Sequence, residues 1–142
     1  MIDLEITLSP YLNFNGNTAD AMKFYQSVFA GELNMQTFGE ANMAQSPEQK
    51  NLIVHAALKV SDTFSLMASD TLPDQPTKPG ENVRLSLSGN DNTRLTEIFN
   101  KLSQGGQVEM PLAKQFWGDT FGMLTDRFSI YWMVNIVSQM QQ

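Results

Sequence analysis

The chain has 142 residues, 42% of them hydrophobic and 17% charged, which is enough for one globular domain with a sizeable core and no covalent staples. Fifteen acidic against nine basic side chains give a formal net charge of −6, and this argues against a nucleic-acid phosphate backbone as partner. The absence of cysteine excludes disulfides, thiolate catalysis and Cys-ligated zinc, and no apolar run is long enough to span a membrane.

In chain order, Met1-Ile2-Asp3-Leu4-Glu5 has neither the basic segment nor the apolar stretch of a secretory leader, so the expected location is the cytoplasm. Pro10–Asn15 alternates as a strand, with Leu12 and Phe14 on one side and Tyr11, Asn13 and Asn15 on the other. Gly16-Asn17 marks a turn, Thr18 is the expected N-cap, and Ala21, Phe24, Tyr25 and Val28 predict an amphipathic helix over 18–29 that stops at Gly31. Strands are expected over Leu33–Phe38, Leu52–Val60 and Phe64–Ser69, with a polar loop at 39–50. On the third strand Leu52, Val54, Ala56, Leu58 and Val60 make the apolar face, and Ile53, His55, Ala57 and Lys59 the opposite one.

The stretch 70–80 carries Pro73, Pro76 and Pro79 and reads as a linker. Beyond it the order repeats. Leu-Ser-Leu-Ser-Gly-Asn at 85–90 echoes Leu-Asn-Phe-Asn-Gly-Asn at 12–17, and Gly16 and Gly89 stand 73 positions apart. Val83, Leu85 and Leu87 predict an apolar strand face with Arg84, Ser86 and Ser88 opposite. A helix over 91–103 buries Leu95, Ile98, Phe99 and Leu102 and ends at Gly105-Gly106. Strands over Val108–Leu112, Phe116–Leu124 and Ile130–Val137 complete the copy. The fold expected is α+β: two βαβββ modules, about 9–69 and 81–137, within a single domain spanning 1–142, their curved mixed sheets wrapped around a cavity.

If each helix covers the Leu12/Phe14 or Leu85/Leu87 side, then Tyr11, Asn13, His55, Arg84 and Ser86 face inward, polar as a binding pocket requires. His55, the single histidine, is read either as a general base or ligand donor or as a hydrogen-bonded structural residue. Met67 and Met133 are expected to line the cavity. Phe116, Trp117 and Phe121 form either an aromatic wall for a ligand or packing at a dimer contact. Trp132 is assigned to the core, and Asp126 to a turn where it bonds its own backbone. Arg84 meets either an anionic ligand or a salt-bridge partner.

Several motifs fall in order inside this duplication. Pro-Tyr-Leu-Asn-Phe-Asn-Gly-Asn at 10–17 leads into Ala21-Met-Lys-Phe-Tyr25. Gly-Gly-Gln-Val-Glu-Met-Pro-Leu at 105–112 leads into Phe-Trp-Gly at 116–118, Thr-Asp-Arg-Phe at 125–128 and Trp-Met-Val-Asn at 132–135. Over residues 9–137 these resemble the PhnB-like branch of the glyoxalase/bleomycin-resistance/dioxygenase, or vicinal-oxygen-chelate, superfamily, some of whose members carry a 3-demethylubiquinone methyltransferase label. The resemblance implies a homodimer and places metal ligands of relatives near Ser9, Met67, Asn82 and Met133, none of which suits a divalent ion. The expected protein therefore binds a small molecule with no metal or other cofactor, at Tyr11, Asn13, His55, Met67, Arg84, Ser86, Trp117 and Met133. The alternatives are a metal-free isomerase, lyase or dioxygenase-like enzyme with His55, Tyr11 or Arg84 as acid/base or anchoring groups, and a dimeric module with filled interior faces. Methyl transfer lacks the Gly-rich strand-to-helix turn of a nucleotide-type cofactor site.

Overall fold

A computed structural model describes residues 6–138, and the expectation drawn from Met1–Glu5 lies outside them. The chain divides into two compact units, one running up to Thr77 and the other starting at Lys78.

The first unit contains β1 (Tyr11–Phe14), α1 (Thr18–Phe29), β2 (Glu32–Thr37), β3 (Ile53–Ser61) and β4 (Phe64–Asp70), with a short 3-10 turn at Pro47–Gln49 in the loop. Its sheet runs β1-β4-β3-β2, with β1 parallel to β4 and the other pairs antiparallel. One face lies under α1: Phe14, Ala56, Leu58, Leu66 and Ala68 are buried there with Ala21, Met22, Tyr25, Val28 and Phe29 of the helix. The Phe29 and Phe64 rings meet edge to face at 4.9 Å, the arrangement that ring quadrupoles favour.

Two local expectations are corrected here. Thr18 is the first residue of α1 rather than its cap, and Asn17 makes no side-chain capping bond. The cap comes from Asp70, whose Oδ1 accepts from the N–H groups of Gly16 and Thr18 (3.1 and 3.0 Å) and whose Oδ2 accepts from that of Ile53 (2.8 Å). A buried carboxylate 52 residues away thus satisfies donors that a helix start leaves open. On β3, the pairing steps from Gln36 opposite His55 to Thr37 opposite Ile53. The bulge at Val54 shifts the strand's phase and turns Ile53 into the core, while His55, Ala57 and Lys59 keep the side expected of them.

The second unit repeats the plan: β5 (Leu85–Gly89), α2 (Asn92–Ser103), β6 (Gln107–Lys114), β7 (Thr120–Thr125) and β8 (Tyr131–Ile136), in the order β5-β8-β7-β6. Asp91 caps α2 through a bond from the Arg94 N–H (3.0 Å). Leu95, Ile98, Phe99 and Leu102 pack against Leu124, Trp132, Val134 and Ile136. Gly122 lets the helix come close, since a Cβ there would lie 2.8 Å from the Phe99 ring. The strand expected over Phe116–Leu124 is shorter than expected. β6 runs on to Lys114 and residues 115–119 form the hairpin turn, closed by bonds from Gln115 N–H to Asp119 O and from Gly118 N–H to Gln115 O, with Gly118 at φ 101°. Val83 lies ahead of β5 and is exposed rather than part of its apolar face.

Candidate functional site

The helix covers one side of each sheet, and strand alternation puts the candidate residues on the other. In the first unit the uncovered side carries Tyr11 and Asn13 from β1, Met67 and Ser69 from β4, His55 and Ala57 from β3, and Asn34 and Gln36 from β2. Register makes Tyr11 the neighbour of Met67, Asn13 the neighbour of Ser69, and His55 the neighbour of Gln36. Tyr11 Oη lies 3.1 Å from His55 Nδ1, and the two rings are tilted by 37° with centroids 5.8 Å apart. Ser69 Oγ donates to Asn13 Oδ1 across 3.4 Å. Tyr11, Asn13 and His55 are exposed, and Met67 is half-buried. The four candidates of this unit thus share one face, and two of them are bonded to each other.

In the second unit Ser86 and Met133 are direct register partners on the face opposite α2. Arg84 lies just ahead of β5. Its guanidinium makes a two-pronged pair with Glu109 (2.9 and 3.0 Å), donates to the Trp132 carbonyl (3.2 Å) and lies 5.2 Å from the centre of the Tyr131 ring. Thr125 Oγ1 donates to the same Glu109 carboxylate (3.0 Å). Of the two outcomes considered for Arg84, the structure gives the salt bridge. That bond from Arg84 holds the Glu109 carboxyl below the usual range, and Glu109 in turn raises Arg84. A hollow of about 590 Å³ opens beside the pair, lined also by Glu81, Gly106 and Arg127. Glu109 was missed in the sequence, although strand phase places it on the same side as Gln107.

Trp117 is not part of the Arg84–Glu109 group. It is in the β6–β7 turn, 43% exposed, against Phe116 (4.9 Å between centroids) and Phe121 (6.2 Å). Asp126 is a turn acceptor for the Phe128 and Ile130 N–H groups, as expected, and it also accepts from the Trp132 indole at 2.8 Å, deep in the core.

The positions where relatives would hold a metal do not make a ligand set. Ser9 and Asn82 precede their strands, and Met67 and Met133 supply thioethers. Among the described residues no three His, Asp or Glu side chains gather as a metal site. A hydroxyl, an amide and two thioethers fit neither the hard nor the borderline divalent ions.

Residues 6–135 match the model of a family described as 3-demethylubiquinone-9 3-methyltransferase. Protein YjdN of Escherichia coli (strain K12) is 31% identical, the match covering 93% of this chain and 96% of YjdN. The crystal structure of protein PA1353 from Pseudomonas aeruginosa superposes with a TM-score of 0.83 at 39% identity, covering 95% of this chain and all of that one. A putative 3-demethylubiquinone-9 3-methyltransferase, PhnB protein, from Bacillus cereus has a TM-score of 0.72 at 22% identity, over 93% of this chain and 100% of that one. At the level of fold alone, a glyoxylase/bleomycin resistance protein/dioxygenase domain from Frankia sp. EAN1pec has a TM-score of 0.66 at 12% identity, over 98% of this chain and 96% of that one. The two strand-helix-strand-strand-strand units and the family match agree: this chain belongs to that PhnB-like family, and its fold is the one seen in the glyoxylase/bleomycin resistance protein/dioxygenase domain.

Proposed function

We propose that the chain is a small-molecule-binding PhnB-like protein that works without a catalytic metal and seats its ligand on the helix-free face of the first sheet. The observation that carries this reading is the Tyr11–His55 hydrogen bond, set among exposed Asn13, Gln36 and half-buried Met67. A sheet face that merely awaited packing would carry apolar side chains; this one carries donors, acceptors and two rings. Metal independence is supported by the donor chemistry at Ser9, Met67, Asn82 and Met133. The family's description names a methyltransferase, but the two strand-to-helix turns, 15–17 and 89–91, hold one glycine each, where nucleotide-type cofactors are cradled by several.

Native mass spectrometry of the tag-free protein, with elemental analysis of the same sample, tests the reading. The expected result is an organic adduct or a fragment-library hit lost in His55→Ala, with no stoichiometric transition metal. A bound transition metal, or hits indifferent to His55 and Tyr11, would overturn it. An enzyme using the same face is a second reading, favoured by an exposed imidazole that, among the described residues, is hydrogen-bonded on one nitrogen only. It requires turnover that disappears in His55→Ala while ligand affinity persists.

A homodimer in the cytoplasm belongs to the same proposal. The exposed rings of Phe116 and Trp117 support the dimer, since lone monomers rarely leave two adjacent large aromatics to water. Among the described residues no helix is long and apolar enough to cross a membrane.

A further inference from the structure

We infer that Tyr11 fixes His55 as a hydrogen-bond donor, with the proton on Nε2 facing outward, so that the face accepts an uncharged ligand through a carbonyl oxygen. The inference rests on the reading of this face as a ligand seat and names the ligand's chemistry.

The bond between Tyr11 Oη and His55 Nδ1 (3.1 Å) can be arranged in two ways. Either the phenol donates to a bare Nδ1, or an Nδ1–H donates to the phenol oxygen. A phenol, with a pKa of about 10, is a far better donor than a neutral imidazole N–H. The imidazole lone pair is likewise a better acceptor than a phenol oxygen. Both preferences choose the first arrangement. A neutral ring with a bare Nδ1 carries its hydrogen on Nε2. Among the described residues Nε2 has no hydrogen-bond partner, and His55 is exposed. Nε2–H is therefore a free donor on the face. The same tautomer leaves Nε2 no lone pair with which to take a proton, so His55 acts as an anchor and not as a general base. Tyr11 is the positioning residue.

The surroundings decide the charge of the ligand. The register partners of the pair are Met67 and Gln36, and Asn13, Ser69, Ala57 and Asn34 come next on the same face, all uncharged. The nearest charges in the pattern, Lys59 and Glu32, are each other's register partners two residues further along their strands. Among the described residues of this sheet an anion at His55 would meet no cation beside it, on a chain whose net charge is already −6. A carbonyl oxygen satisfies the donor without that cost. The tilted rings and the Met67 thioether give the ligand body an aromatic and polarisable bed.

The chain has one histidine, so its ring nitrogens can be read without assignment ambiguity. Long-range proton–nitrogen NMR in mildly alkaline buffer should show a single tautomer with the proton on Nε2 and an Nδ1 resonance shifted by an accepted hydrogen bond. In Tyr11→Phe the Nδ1 resonance should move to the position of a water-exposed acceptor. A predominantly Nδ1-protonated ring, or an Nδ1 signal unmoved in Tyr11→Phe, overturns the role given to Tyr11. Titration with acetophenone and, separately, benzoate tests the ligand class. Acetophenone should shift the Nε2 resonance and bind roughly tenfold more weakly to His55→Ala, the loss expected of one hydrogen bond. Preference for benzoate overturns the uncharged class while leaving the face a ligand seat. If neither probe perturbs the signals of Tyr11, His55 or Met67, both the ligand class and the seat fall, and the tautomer result stands or falls by itself.

Discussion

At the scale of single residues, one aspartate does what the sequence assigns to a threonine. Asp70 holds three backbone N–H groups at once, two at the start of α1 and one at the start of β3. Removing it leaves the Thr18 and Ile53 donors buried without that partner, each costing about 1–3 kcal/mol, and the partly buried Gly16 donor open. Asp70→Ala should therefore lower the free energy of unfolding by roughly 3 kcal/mol or more. Chemical denaturation giving a loss below about 1 kcal/mol would show that the donors find substitutes. Next to Asp70, the Thr18 hydroxyl is fully buried and has no hydrogen-bond partner among the described residues. Thr18→Val keeps the shape and removes the orphaned oxygen, so it should stabilise the protein by about 1 kcal/mol. An unfolding midpoint shifted downward would contradict this. The Arg84–Glu109 pair sets a pH dependence with a definite sign. The Glu109 carboxyl is held below its ordinary value by its bond from Arg84, so the unfolded chain takes up that proton first as pH falls. The stabilisation is complete above about pH 4.5 and fades as pH drops through the depressed folded value. Glu109→Gln should flatten the acid limb of stability against pH; equal slopes for both proteins would remove the pair from the account.

At the scale of elements, periodicity made most of the fold legible. Among the described residues, alternation located the eight strands and the 3.6-residue period the two α-helices, because those patterns follow directly from which side chains face the core. The legible part of the site was legible for the same reason: Tyr11, Asn13, His55 and Met67 share a face because strand phase says so. What failed depended on contacts distant in sequence. Ile53 turns inward because of a bulge set by β2, and the cap of α1 comes from the far end of β4. The β6–β7 hairpin was misplaced because Phe116 and Trp117 look like strand residues, while the turn is drawn by the bonds of Gln115 and Gly118. Helix-to-sheet spacing in the second unit rests on a single missing side chain. At Gly122 a Cβ would meet the Phe99 ring at 2.8 Å and the backbone of Met110 and Leu112 at 3.0 Å. Gly122→Ala should push α2 off its sheet at a cost of about 1–3 kcal/mol, read as a lower melting temperature. An unchanged melting temperature would mean the Phe99 ring can simply turn aside.

At the scale of the whole molecule, the two units share a plan but differ in how each is finished. The first ends its turn into α1 with an imported carboxylate; the second caps α2 with its own Asp91. The first leaves a neutral polar face with a Tyr–His pair; the second ties its cation to Glu109 and raises Phe116 and Trp117 on a hairpin. Phe116 is 97% exposed, and the edge strand β6 leading to it also exposes Val108 and Met110. Covering a large aromatic removes about 150–250 Å² from water, and at about 25 cal/mol per Å² two such rings provide several kcal/mol toward association. A second copy is the partner the proposal names, because a twofold contact covers the same rings on both chains at once. Phe116→Ser combined with Trp117→Ser should then convert the dimer to single chains in light scattering, with helix content unchanged because neither ring belongs to the buried core. If the unaltered protein already scatters as a monomer at micromolar concentration, the dimer falls; if the double variant remains a dimer, the interface is built from other surfaces.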